Sequence, residues 1–126
     1  MNLIAQRVLS SSLYIEGKKI VSIDRGILAL VGFEKGDTSS DCEIIADKLL
    51  NYRIFPDDKG RMENSVIDIK GDLLLVPEVT LALETRKGSR PSFSEAASPD
   101  LGKLLFVDLS NKLRETHDKL EVGIFG

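Results

Sequence analysis

Residues 73–93, LLLVPEVTLALETRKGSRPSF, gather the side chains of this chain that have chemistry to offer. Thr80 is a candidate nucleophile, but a threonine hydroxyl is a weak one unless a neighbouring base takes its proton. Glu78 stands two positions away, on the same face if the segment is extended, and is either that base or an ordinary solvated strand residue. Arg86, Lys87 and Arg90 then place three cations within five positions. Gly88 and Pro91 keep that stretch out of a continuous helix or central strand. A cationic loop beside a polar strand face suits an anion; a solvated surface loop is the plainer alternative.

Other chemistries are excluded by what the chain lacks. His117 is the only histidine, so a Ser-His-Asp relay and a histidine-rich metal site are not expected. Its place near the end of a helical pattern suggests a surface role. Cys42 is the only cysteine, which excludes an internal disulfide, fits a reducing compartment, and at its position in an apolar helical stripe reads as core. Asp57 and Asp58 adjoin Lys59 and Gly60 in a turn, where adjacent acids solvate more often than they coordinate. The glycines have no strand-loop-helix context of a nucleotide loop. No metal and no cofactor are expected.

The elements that must position the organising stretch can be read from periodicity. The 126 residues, 42% hydrophobic, suit one domain covering 1–126 with a single core. Met1 to Val8, Leu13 to Glu16 and Lys19 to Ile23 read as strands of an antiparallel meander, and Ile27 to Val31, five apolar residues in a row, as a central strand covered on both faces. Thr38, with Asp41 three residues on, marks a helix start, and Cys42, Ile45, Ala46, Leu49 and Leu50 recur at helical spacing. Met62 to Ile69 leads into a hairpin at Lys70-Gly71-Asp72. Leu73 to Val76 is a buried strand, and Val79, Leu81 and Leu83 alternate with Thr80, Ala82 and Glu84 in a second extended run. Ser98 before Pro99 caps a second helix to about Thr116, with Leu105, Phe106, Leu109 and Leu113 inward, and Leu120 to Phe125 closes the chain as a strand. The expectation is an α+β domain, mainly antiparallel or mixed sheet of barrel-like form, with two helices.

The net charge of −3 argues against nucleic-acid binding by overall positive charge, so an RNA contact needs a local patch. Gln6 and Arg7 interrupt the N-terminal apolar stretch before a signal core forms, and no apolar run approaches membrane-spanning length. A cytoplasmic protein is expected, with neither a membrane nor DNA among its partners.

Short motifs run through the chain in one order: QRV at 6–8, GFEKGDT at 32–38, NYRIF at 51–55, GRMENSV at 60–66, TRKGSRPSF at 85–93, ASPD at 97–100 and GIFG at 123–126. Together they resemble the D-aminoacyl-tRNA deacylase family over the whole length. The resemblance implies hydrolysis of the ester of D-aminoacyl-tRNA, and of glycine mischarged on alanine tRNA, as chiral proofreading by a homodimer. It implies main-chain binding of the amino acid, with the 2′-hydroxyl of the terminal adenosine assisting hydrolysis. Position by position it makes Pro77, Glu78, Val79 and Thr80 the pocket lining, Arg7 its brace, and Phe125 a frame for the adenosine. Arg86, Lys87 and Arg90 lie towards RNA. Arg7 as a partner of an acid and Phe125 as core are the ordinary alternatives. Two departures stand out: the family's Ser-Gln-Phe-Thr is here Pro77-Glu78-Val79-Thr80, and the family's Gly-Pro-x-Thr segment would lie beyond Gly126. They raise the alternative of a C-terminally truncated relative that is inactive or binds without turnover.

Overall fold

The computed structural model describes residues 1–82 and 95–125, with only the backbone of Thr80 and Ala82. Its centre is strand β4 (Gly26–Gly32), flanked by β1 (Asn2–Val8) and β7 (Asp72–Pro77), with β8 (Leu120–Val122) beyond β7. β1 runs antiparallel to β4, from Asn2 opposite Gly32 to Val8 opposite Gly26, whereas β4, β7 and β8 are mutually parallel.

Each parallel step needs a crossover, and each is made by a helix. Helix α1 (Ser39–Asn51) lies between β4 and β7, and α2 (Pro99–Thr116) between β7 and β8. Both steps go the same way along the sheet, so crossovers of one hand put both helices on the same face. There Ile27, Ala29, Val31, Leu73 and Leu75 meet Cys42, Leu49, Leu105, Leu109 and Leu113 in one core.

The local signals for these helices are explicit. Thr38 and Asp41 form a reciprocal capping box, and Ser98 caps α2 by accepting from the Leu101 N–H, with Pro99 at the first helical position. At the other end of α2, Lys112 Nζ meets Asp108 Oδ1 at 2.9 Å and Ser39 Oγ at 3.1 Å, tying the helices together. Lys112 thereby holds the Asp108 carboxyl below the usual carboxylate range.

Several expectations are corrected. The three N-terminal strands form no meander: β2 (Ser11–Ile15) and β3 (Lys18–Ile23) make a separate hairpin, while β1 crosses to β4. Strand β6 (Met62–Asn64) pairs with β5 (Phe55–Pro56), so no hairpin joins it to β7 at residues 70–72. Among the described residues the sheets are open, and no ladder closes a barrel, because the β2–β3 hairpin lies against β7 and β8 instead of extending the main sheet. The last strand ends at Val122. His117 is buried, not superficial, with Nε2 at 2.6 Å from the Gly71 carbonyl.

The extended run expected after Pro77 is, as far as Ala82, a 3₁₀ turn (Val79–Ala82). Glu78 still donates its N–H to the Val31 carbonyl at 2.8 Å, but β4 ends at Gly32, and among the described residues no further ladder is there to join. Instead Phe33 and Lys35 engage the segment at Glu95 and Ala97 through Ala97 N–H to Phe33 O and Lys35 N–H to Glu95 O. Alternation without a neighbouring strand does not make a strand. The inference that Glu78 and Thr80 share a strand face falls with it.

Candidate functional site

Parallel strands β4, β7 and β8 all point their carboxyl ends the same way, and the crevice beyond such ends is where open α/β sheets receive ligands. A cleft of about 390 Å³ lies there. Its walls come from the end of β4 (Val31, Gly32, Phe33), the exit of β7 (Pro77, Glu78, Val79), the start of α2 (Ala97 to Pro99, and Gly102) and the segment after β8 (Ile124, Phe125). The sequence places these pieces far apart, and the two crossovers bring them together.

The aromatic wall depends on a missing side chain. A Cβ at Gly102 would stand 2.8 Å from Cζ of Phe125, so only glycine lets the ring settle on α2 undisturbed. The ring also lies 6.0 Å from that of Phe106, tilted by 39°. The positive end of the α2 dipole opens on the same cleft at Ser98 and Pro99 and favours negative charge nearby.

The chemistry is sparse. Of the described residues lining the cleft, Glu78 alone carries an acidic or basic side chain, and the Ser98 hydroxyl is engaged in capping. Cys42 is elsewhere, in the core beneath the helices, and burial pushes its thiol up to about 11, with Asp108 adding to the shift. No cluster of potential metal ligands occurs among the described residues. Among the described residues, then, the cleft offers apolar walls and a single carboxylate.

Of the residues singled out in the sequence, Pro77, Glu78, Val79 and Phe125 meet at this cleft. Thr80 has its backbone in the 3₁₀ turn beside them, and its side chain is outside what is described. Arg7 is not at the cleft of its own chain. It pairs with Ile27 at the opposite end of β1, where Nη1 meets Met62 Sδ at 3.4 Å. Arg86, Lys87 and Arg90 lie outside the described residues. Sequence reasoning missed Gly32, Phe33, Ala97, Pro99, Gly102 and Ile124 as wall residues. A glycine inside an otherwise helical pattern is a recognised sign of close approach, and Gly102 carried it.

An α+β domain with a ligand cleft at the ends of its parallel strands is the class defined so far. A family model described as D-Tyr-tRNA(Tyr) deacylase matches residues 4–126. A D-aminoacyl-tRNA deacylase of Marinomonas sp. (strain MWYL1) is 48% identical over 126 residues, covering 100% of this chain and 88% of that protein. One of Francisella tularensis subsp. novicida (strain U112) is 45% identical over 123 residues, covering 98% and 85%. Among solved structures, the c-Myc DNA Unwinding Element Binding Protein superposes with a TM-score of 0.94 at 32% identity, over 100% of this chain and 86% of that one. A probable eukaryotic D-amino acid tRNA deacylase has a TM-score of 0.79 at 19% identity, covering 92% and 68%, and shares the fold. The chain belongs to the D-Tyr-tRNA(Tyr) deacylase family.

Proposed function

We propose that the chain is a hydrolase that cleaves the ester bond of D-aminoacyl-tRNA, releasing the free amino acid and tRNA as a proofreading step of translation. The observation that carries this reading is the composition of the cleft: an apolar enclosure with an aromatic wall at Phe125 and one titratable side chain, Glu78, among its described residues. An aminoacyl ester is already activated, and its neighbouring ribose hydroxyl can assist attack. A protein that holds the ester in one pose and limits water then supplies what is missing, since orientation alone can account for roughly 7 to 11 kcal/mol of a barrier. The two bacterial relatives cited are named for catalysis, which supports turnover over binding alone, although one similar solved structure is named for DNA binding.

In this reading Pro77, Glu78 and Val79 contact the amino acid, with Thr80 the candidate for direct chemistry, and Phe125 frames the adenosine. Arg86, Lys87 and Arg90 meet phosphates. Arg7 is too far along β1 to brace its own cleft, so that role requires the cleft of a second copy. A homodimer fits the surface: on the sheet face opposite the helices, Ile4 is exposed and Leu28 and Leu30 are half-buried, uncovered among the described residues. No helix among the described residues is long and apolar enough to cross a membrane, and a tRNA substrate supports a cytoplasmic location. The test is release of labelled D-tyrosine from D-tyrosyl-tRNA; no release above the buffer rate at micromolar protein overturns the reading.

A further inference from the structure

The 3₁₀ turn at Val79–Ala82 follows directly on the cleft residues Pro77 and Glu78 and carries Val79 at the mouth. Its inner end is fixed by the Glu78 N–H on the Val31 carbonyl at 2.8 Å. Its own Leu81 N–H reaches the Glu78 carbonyl only at 3.3 Å. The outer end is held from the start of β1, where Asn2 Nδ2 lies 2.7 Å from the Leu81 carbonyl and 2.7 Å from Glu34 Oε1.

We infer that Asn2 is a positioning residue for the reaction proposed above, on which this role rests: its carboxamide clamps the Leu81 carbonyl to Glu34 and so holds the 78–82 wall against the mouth of the cleft. Both of its partners are acceptors, so the group between them must donate twice, which the amide NH₂ of asparagine does and a carboxylate cannot. The far anchor is tied to its surroundings through the Glu34 backbone. Asp37 Oδ2 accepts the Glu34 N–H at 2.7 Å, Met1 N reaches Asp37 at 2.9 Å, and Glu34 bridges to Ala96 beside the opposite wall. Register places Asn2 opposite Gly32, which itself lines the cleft. The clamp thus links the end of β4, the turn after β7 and the strand bridge before α2.

The bonds are exposed, so they contribute little to stability, and the effect of losing them falls on geometry. Binding of tRNA draws on contacts spread over a large ligand, whereas the pose of one ester bond depends on the cleft wall; kcat therefore suffers more than KM.

The experiment measures steady-state hydrolysis of D-tyrosyl-tRNA and thermal stability for the unaltered chain, Asn2→Ala, Asn2→Asp and the double variant Asn2→Asp/Glu34→Gln. Asn2→Ala lowers kcat roughly fivefold, as for one modest hydrogen bond, with KM within about twofold. Asn2→Asp keeps the shape but sets a carboxylate against a carboxylate and a carbonyl, and lowers kcat by about tenfold or more. In the double variant the amide introduced in place of Glu34 donates to the carboxylate introduced in place of Asn2, and part of that loss is recovered. Tm stays within about 3 °C throughout. Asn2→Asp with unaltered kcat, a loss confined to KM, or a kcat loss matched by lost Tm overturns the positioning role while the deacylase reading stands. An unaltered chain without turnover overturns that reading, and this role with it.

Discussion

Gly102 gives the sharpest link between one atom and the cleft. Adding a methyl group in Gly102→Ala puts a Cβ 2.8 Å from Cζ of Phe125, where ordinary contact begins at 3.4 Å, so the ring must retreat by about 0.6 Å. It cannot retreat freely, because Phe106 holds its other contact at 6.0 Å between ring centres. Gly102 and Phe125 both line the cleft, so methyl and displaced ring alike take up space there. Two terms oppose each other in stability. Alanine gains about 1 kcal/mol over glycine in a helix interior, while overpacking costs about 1 to 3 kcal/mol. The net lies between no change and a loss of about 2 kcal/mol, or a Tm lower by at most about 10 °C. In the cleft there is no compensating gain, and a misfit of that size raises KM for D-tyrosyl-tRNA about tenfold, equivalent to about 1.4 kcal/mol. The assay is steady-state hydrolysis alongside a melt. A variant that melts normally and keeps its KM refutes the role assigned to the Phe125 wall.

Cys42 predicts an alkaline limit to stability: its thiol is raised from 9.0 to about 11, so the fold retains a proton that the unfolded chain releases. Stability is unaffected below about pH 9 and falls between about 9 and 11, by up to about 2 to 3 kcal/mol; denaturant titrations at pH 8 and 10.5 on the chain and on Cys42→Ala check it, the variant lacking that decline. Replacing Arg86, Lys87 and Arg90 with alanine lowers tRNA affinity and flattens the slope of log affinity against log salt by roughly 2 to 3, read by filter binding, if all three meet phosphates. Ile4→Lys on the open sheet face converts a dimer to monomer in sedimentation velocity; a chain that is monomeric at micromolar concentration before the change removes the dimer from the account.

Both helices were legible in the sequence because their boundaries are set by local contacts. Thr38 with Asp41 satisfies backbone groups within four residues, as does Ser98 accepting from the Leu101 N–H, with Pro99 at a position that needs no donor; no distant element is needed to make them. Leu73 to Val76 was equally plain, since a strand covered on both faces writes its burial into an unbroken apolar run. Ile27 to Val31 was legible as a central strand, but the expected cover on both faces is not met: Ile27, Ala29 and Val31 are buried against the helices, while Leu28 and Leu30 are only half-buried. What escaped depends on where a neighbour ends. The residues after Pro77 alternate as a strand would, but β4 turns away at Gly32, and the chain closes into a 3₁₀ turn instead. His117 looked superficial because nothing local shows that the Gly71 carbonyl waits 46 residues back in the chain. The cleft was half legible: Pro77, Glu78, Val79 and Phe125 were singled out through resemblance, while Phe33, Ala97 and Ile124 look like ordinary core or loop until the crossovers bring them to one place.

The central claim, that this cleft hydrolyses the ester of D-aminoacyl-tRNA by enclosure and positioning, is tested most directly by single-turnover release of labelled tyrosine from D- and L-tyrosyl-tRNA. The account predicts release of D-tyrosine at about 1 s⁻¹ or faster, within the ordinary enzymatic range, and slower release of the L-form. D-tyrosine released no faster than in buffer contradicts it.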